Sequence, residues 1–354
     1  MRPNSEQLRR ILASGVLAPS AENKHYLRFK VLADSVQLFS TDQLSWAARP
    51  HRQMLAFLSY GAVVENIALR SAELGFAVAV RWLPQGLTDA LIADLSWTEA
   101  TVSLDPLSIA IASRHTNRRF YRRAMLPPKT LANLSGAATV VPGAALMWLD
   151  DPASRALALK SIRIAETERF RRQALHAELF DSIRFEIGWR TTCDEWLPPA
   201  ALQVEPPMRK PFALMRHWGV MRAGTWIGAH LALGLRAGYL PCALAPHLGL
   251  IVVKGQGEEL GSLQAGRAFE RVWLAAENES LALQPMAAAT ALVRQTPGHG
   301  WVSVGVKDEL QRLLGTLCGA DGGQAYMLFR LGQGKAPDAV TGRKPLDGYL
   351  DSGP

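Results

Sequence analysis

Residues 113–123 read SRHTNRRFYRR, five arginines and one histidine in a short run of a chain that is otherwise half apolar. In an extended segment Arg114, Thr116 and Arg118 fall on one face, because successive side chains alternate sides. That places a hydroxyl between two guanidinium forks, a set of donors sized for a phosphate. Guanidinium keeps its charge at any working pH, which lysine and histidine do not guarantee. Duplex or single-stranded nucleic acid is the rival ligand, but no helix-turn-helix, zinc-finger or RNP pattern accompanies the cluster. Arg119, Arg122 and Arg123 read as a solvated rim.

The surrounding chain has 354 residues, 48% of them hydrophobic, enough for a substantial core in one large or two medium domains. Its formal charge of +8 suits any phosphate-bearing partner and by itself selects none. No run of apolar residues is long enough to span a bilayer, and the polar start MRPNSEQLRR is unlike a signal peptide, so a soluble, cytoplasmic protein without a membrane partner is expected. Cys193, Cys242 and Cys318 lie far apart without ligand spacing; neither a metal site nor a disulfide framework is expected.

Patterning gives a helix over 5–18 capped by Ser5 and stopped by Pro19, then a hairpin through YLRFKVLADSVQLFS. A largely apolar helix follows from Met54 to Leu74, ended by Gly75, and then a strand, FAVAVRWLP. Past the arginines the order partly repeats: a helix from LPPKTLANLSGAA, a strand AALMWLD, and a second long helix containing GRAFERVWLAAENESLAL. The helices AFLSYGAVVENIALRSAELGFA and AGRAFERVWLAAENESLALQ occupy equivalent places in the two half-chains, a sign of internal duplication. Between them, residues 151–225 open as one long charged helix and continue through a Trp-, Pro- and Met-rich stretch. That stretch reads as a cover rather than as core.

Two other segments join the arginine cluster. APSAEN at 18–23 ends the first helix with short polar side chains, and GRKPLDGYL at 342–350 brings Arg343 and Lys344 near the chain end. In this order and with these elements the chain resembles the nitroreductase family of flavoproteins, α+β proteins that bind FMN at a dimer interface. The family's Arg-x-Ser/Thr-x-Arg/Lys phosphate motif matches Arg114-His115-Thr116-Asn117-Arg118. Its C-terminal basic pair matches Arg343 and Lys344, and its Ala-Pro-Ser-x-x-Asn loop matches Ala18-Pro19-Ser20-Ala21-Glu22-Asn23.

The linear order departs from the family, since the loop precedes the arginine motif by about ninety residues instead of following it. The resemblance therefore implies an internal pseudo-dimer of two fused nitroreductase-like halves, residues 1–108 and 109–354. Each half would carry a mainly antiparallel sheet flanked by helices, with a lid-like helical insert at about 165–225. This looks like the Acg-like branch of single-chain twin proteins, and a monomer or a further homodimer fits it. By the same resemblance, a peptide N–H among Pro285, Met286 and Ala287 would approach flavin N5. Ala287-Ala288 stands where classical members have Glu-Gly.

The implied FMN site comprises Pro19, Ser20, Asn23, Arg114, His115, Thr116, Arg118, Pro285, Met286, Ala287, Arg343 and Lys344. No catalytic side chain and no metal are required, because the flavin carries the electrons. Arg118 would stabilise negative charge on the reduced ring. NAD(P)H is the implied donor, and a nitroaromatic, quinone or similar flat small molecule the acceptor. The alternative is an FMN-sequestering protein with little turnover. His115 and His176 read as structural, and Trp189, Trp196 and Trp218 either stack on a ligand or pack on their own scaffold.

Overall fold

The computed structural model describes residues 2–42, 46, 49–88, 90–101, 103–190, 192–298, 300–319 and 322–351. The first helix, α1 (Ser5–Val16), is capped by Asn4, not Ser5: Asn4 accepts from the Gln7 N–H and Gln7 returns the bond, a complete capping box. The expected hairpin forms as β1 (Leu27–Val31) and β2 (Val36–Ser40). Helix α2 (Pro50–Glu73) starts on a proline and ends where Gly75 turns left-handed, at φ 82°. It leads into β3 (Phe76–Trp82) and then β4 (Leu91–Glu99), a strand the patterning missed. The sheet order is β1-β2-β4-β3, all antiparallel, with α1 and α2 packed on its apolar face.

The second half begins with α3 (Pro128–Thr139) and β5 (Ala144–Trp148). The long charged helix breaks in two, α4 (Pro152–Arg171) and α5 (Gln173–Asp181), because Arg172 adopts an extended backbone with its guanidinium held by Glu168 at 2.6 Å. Short helices α6 (Arg209–Leu214), α7 (Trp218–Trp226), α8 (Ala229–Gly234) and α9 (Leu240–Leu244) follow, with a π-helical turn at Leu235–Tyr239 joining the last two. Then come β6 (His247–Val253), α10 (Glu258–Asn278), β7 (Ala282–Pro285), α11 (Ala288–Arg294), α12 (Val304–Cys318) and β8 (Gln324–Gly332).

This sheet runs β5-β6-β8-β7, the same order as the first. Its central strands β6 and β8 are buried on both faces, between α3 and α10 on one side and α4, α11 and α12 on the other. A continuous apolar run such as HLGLIVV carries no alternation, which is why patterning did not mark β6.

Where the first sheet joins β1 to β2 by a tight turn closed by Leu32 N–H and the Ser35 carbonyl, the second inserts residues 149–246. That segment is longer than expected, and Thr191 within it lies outside the described residues. Against the expectation of a coreless cover, it builds an apolar cluster of its own around Phe170, Phe180, Leu197 and Met221.

The two halves meet where α2 crosses α10. A Cβ on Gly61 would sit 2.0 Å from the Leu263 carbonyl oxygen, and a Cβ on Gly266 would sit 2.0 Å from that of Leu58. The contact is reciprocal, and one spacing relates Leu58 to Leu263, Gly61 to Gly266 and Glu65 to Glu270. The equivalence of the two helices thus lies one helical turn from the alignment read off composition. Even the turns after them agree, with Gly75 and Ser280 both left-handed.

Only backbone faces backbone at this crossing, so side-chain rotation cannot relieve an added methyl. Gly266→Ala should lose about 3 kcal/mol of stability or more. Gly136→Ala on the open face of α3, where nothing lies within 4 Å, should gain roughly 0.5 kcal/mol. Urea midpoints of both variants check this, and equal midpoints would remove the crossing as the constraint.

Candidate functional site

A cavity of about 830 Å³ opens at the seam between the halves, within the size range of cofactor pockets. It is lined by α2 (Leu55, Leu58, Ala62), by α10 (Gly266, Phe269, Trp273), by the β7–α11 turn, by the chain end and by the insert. Of the twelve residues expected to form one site, eleven line it: Pro19, Ser20, Asn23, Arg114, His115, Thr116, Arg118, Pro285, Met286, Ala287 and Arg343. The APS loop and the arginine motif, far apart in sequence, meet across it.

Lys344 is not part of the wall. It pairs with Glu195 at 2.6 Å, while its neighbour Arg343 turns inward, as adjacent side chains of an extended segment do.

The arginine stretch is held extended by Asn117, whose N–H donates to the Leu283 carbonyl and whose Nδ2 donates to the Lys335 carbonyl at 2.8 Å. Arg114 is nearly enclosed. Its Nη2 donates to the Leu17 carbonyl at 2.9 Å, its Nε lies 3.3 Å from Glu270 Oε1, and its guanidinium stacks 4.5 Å from the Trp273 ring centre. Glu270 has no solvent exposure, and burial raises its pKa to about 7, against which Arg114 pulls.

Arg118 donates to the Ala201 carbonyl of the insert at 3.1 Å, and Arg343 donates to the Ala18 carbonyl through Nε and Nη2. Among the described residues neither has a carboxylate within ion-pairing distance. Burial lowers both to about 10, with neighbouring guanidiniums adding to the shift, Arg169 and Arg330 for Arg118 and Arg114 for Arg343. Glu166 opposes the shift for Arg118 and Glu270 that for Arg343, but neither arginine is ion-paired; two half-buried guanidiniums facing the cavity favour an anion there.

The loop opposite is strained. Glu22 and Asn23 are both left-handed, φ 57° each, a conformation that non-glycine residues hold only under constraint. Asn23 supplies the constraint: its Nδ2 donates to the carbonyls of Trp196 and Gly342, and its Oδ1 accepts from Arg343 Nη1. Its amide is therefore spent on pinning the loop, the insert and the chain end together, rather than offered to a ring edge. Ser20 Oγ, buried at the same wall, has no partner. Pro285, which ends β7, has no N–H, and Met286 donates to the Leu328 carbonyl at 2.7 Å, leaving the Ala287 N–H without a partner among the described residues.

His176 and the three tryptophans take the packing roles that the sequence reading allowed them, while Arg119 departs from it. Trp189, Trp196 and Trp218 are absent from the cavity wall and pack within the insert or under Lys24. His176 is buried, stacks on Phe180 and bonds the Met215 carbonyl at 2.8 Å. Arg119 is no solvated rim, since it pairs with Asp338.

Sequence reasoning passed over Glu270, and also His51 and Glu178, which meet at 3.2 Å on the wall. A carboxylate on the buried face of an apolar helix was the available signal for Glu270. Among the described residues no group of His, Cys, Asp and Glu is arranged to hold a metal, and no helix is long and apolar enough to cross a membrane.

No family model matches the sequence, and no curated protein matches it. Solved structures similar to this chain include a nitroreductase with bound FMN from Bacteroides fragilis, 13% identical, covering 68% of this chain and 94% of its own, with a TM-score of 0.36. The FMN-dependent nitroreductase NfnB of Mycobacterium smegmatis in complex with NADPH is 15% identical, covering 68% of this chain and 90% of its own, at 0.35. The FMN and NADPH-dependent nitroreductase NfnB from sphigopyxis sp. strain HMH is 14% identical, covering 71% and 100%, at 0.38. Likeness of this degree decides nothing about the cofactor or chemistry of this chain.

The raised Glu270 gives a test of the site's electrostatics. Between the ordinary carboxylate value of 4.5 and about 7 the folded protein holds a proton at Glu270 that the unfolded chain releases, so this group's contribution to stability falls as pH rises. Glu22, raised similarly to about 7, acts in the same sense in parent and variant alike. Glu270→Gln should therefore gain stability relative to the parent as pH is raised through that window, read as the difference in urea midpoints. A difference independent of pH would mean that Glu270 is ionised throughout.

Proposed function

We propose that the cavity binds FMN and that the chain is an oxidoreductase of the nitroreductase type, using NAD(P)H and reducing a nitroaromatic, quinone or similar flat acceptor. The observation that carries this reading is the pair of half-buried guanidiniums, Arg118 and Arg343, that face a cavity of cofactor size without an ion-paired carboxylate among the described residues. Their match to the Arg-x-Thr-x-Arg and C-terminal motifs supports reading that anion as a flavin phosphate. The donor set fits: Ser20 Oγ lacks a partner, the Ala287 N–H is uncommitted, and Phe269 and Trp273 offer apolar surface to a planar ring. FMN, when bound, supplies the ring that accepts and passes on a hydride.

The chain's own residues then hold and insulate. Arg343 and Arg118 bind anionic oxygens, and Arg114, its Nε 3.3 Å from Glu270, orients by stacking on Trp273. The insert contributes Ala201, Leu202 and the wall around Leu233, limiting water above the site. Two sheets of one strand order joined by reciprocal glycines support a fused pseudo-dimer with halves at 1–108 and 109–354. In it, the loop of one half serves the site of the other.

A second reading, a protein that sequesters FMN under the insert, draws on the same roof. Purified protein should be yellow and should bleach rapidly when mixed anaerobically with NADH or NADPH. Yellow protein that resists both nucleotides would favour sequestration, and protein unable to take up FMN would end both readings. Arg118→Ala should weaken FMN binding by roughly tenfold to a hundredfold, as loss of a charged hydrogen bond does. Arg123→Ala, on the exposed rim, should leave it unchanged. Equal affinities for both variants would place the phosphate elsewhere.

A further inference from the structure

The insert carries a second feature that the cavity does not use. Helices α7 and α8 form a hairpin about Gly228, left-handed at φ 82°, and Gly224 lets the arms close, a Cβ there lying 3.1 Å from that of Ala229. At its tip Trp226 and Ile227 are each 88% exposed. Val220 on one arm and Leu231 and Leu235 on the other are further exposed apolar side chains, the last two four residues apart where α8 runs into the π-helical turn. Scattered apolar residues on a surface mean little, but a contiguous protruding set marks an interaction site.

Along the chain the charge is one-sided, although Glu186 and Glu205 from neighbouring segments face Arg216 and Arg236. From Pro206 to Gly257 the sequence contains no Asp or Glu, although 31 of its 354 residues are acidic. The same segment holds Arg209, Lys210, Arg216, Arg222, Arg236 and Lys254. Of these, Arg216 and Arg222 are exposed and flank the hairpin, whereas Arg236 is taken by Glu205.

An apolar tip with an interfacial tryptophan and a basic collar is the composition of segments that lie in the headgroup region of a bilayer. Two adjacent large side chains standing this far out fit a deformable fluid better than a rigid complementary surface.

We infer that the α7–α8 hairpin docks the protein on an anionic lipid surface, seating Trp226 and Ile227 among the acyl chains and Arg216 and Arg222 among the headgroups. The sequence expectation of no membrane partner rested on the lack of a spanning segment, and surface docking needs none. The other side of the hairpin, Ala229, Ala232, Leu233 and Arg236, walls the cavity, so docking would set that wall against the lipid. It is the side from which an apolar flat acceptor of the quinone class would arrive. This last extension rests on the proposed function; the docking itself does not.

Flotation of the intact protein with vesicles tests it. The protein should float with phosphatidylcholine–phosphatidylglycerol vesicles, less with phosphatidylcholine alone, and less as salt rises from roughly 50 to 500 mM. The double variant Trp226→Ser/Ile227→Ser, with its fold checked by circular dichroism, should partition at least roughly tenfold less, since burying a single large apolar side chain is worth that much. Arg216→Glu/Arg222→Glu should lose the preference for anionic lipid.

Absence of flotation with either vesicle, or flotation unchanged in the Trp226→Ser/Ile227→Ser variant, would overturn the inference. So would a non-floating dimer that this variant converts to monomer, which would make the patch a self-association face. FMN binding, measured on the same variants, reports separately on the cavity.

Discussion

The close crossing of α2 and α10 is the constraint on which the rest depends. Glycines at Gly61 and Gly266 bring each helix's backbone against the other's carbonyls, closer than any side chain permits. One turn further along, each helix presents a buried carboxylate. Glu65 is neutralised across the crossing by Arg267 at 2.8 Å and Arg271 at 2.7 Å. Its counterpart Glu270 is left to Arg114 of the arginine stretch. The crossing that joins the halves therefore also fixes the first arginine of the motif beside the cavity.

From that anchor the site is assembled under tension rather than by complementary packing alone. A left-handed Glu22–Asn23 pair is paid for by the hydrogen bonds of Asn23, and these bonds tie loop, insert and chain end into one wall. Arg118 and Arg343 are half-buried with carbonyls and the Asn23 side chain for partners and, among the described residues, no ion-paired carboxylate, so desolvation depresses both. An anionic ligand would supply a paired charge, and its binding would stabilise the fold.

Much of this was legible in the sequence because chemistry-bearing residue types recur at short spacing. Arg114, Thr116 and Arg118 were found that way, Ser20 and Arg343 through the resemblance to the nitroreductase family, and all five line one cavity. What escaped was set by tertiary geometry. The repeat Leu-x-x-Gly-x-x-x-Glu at 58–65 and 263–270 was present, but composition aligned the two helices one turn out of register. Lys344 could not be separated from Arg343 without knowing which way the extended chain faced. Asn23 looked like a ligand donor because nothing local shows that the Trp196 and Gly342 carbonyls converge on it. The insert's aromatic residues, read as a cover, close on themselves as a small core because Phe170, Phe180 and Met221 return from three separate helices.

The central claim is that half-buried arginines without an ion-paired carboxylate make this cavity a receptor for the phosphate of FMN. Titrating the ligand-free protein with FMN and with riboflavin, which lacks only that phosphate, measures it directly. Two charge-assisted contacts predict FMN to bind roughly a hundredfold tighter or more. Equal affinities for the two flavins would contradict the account.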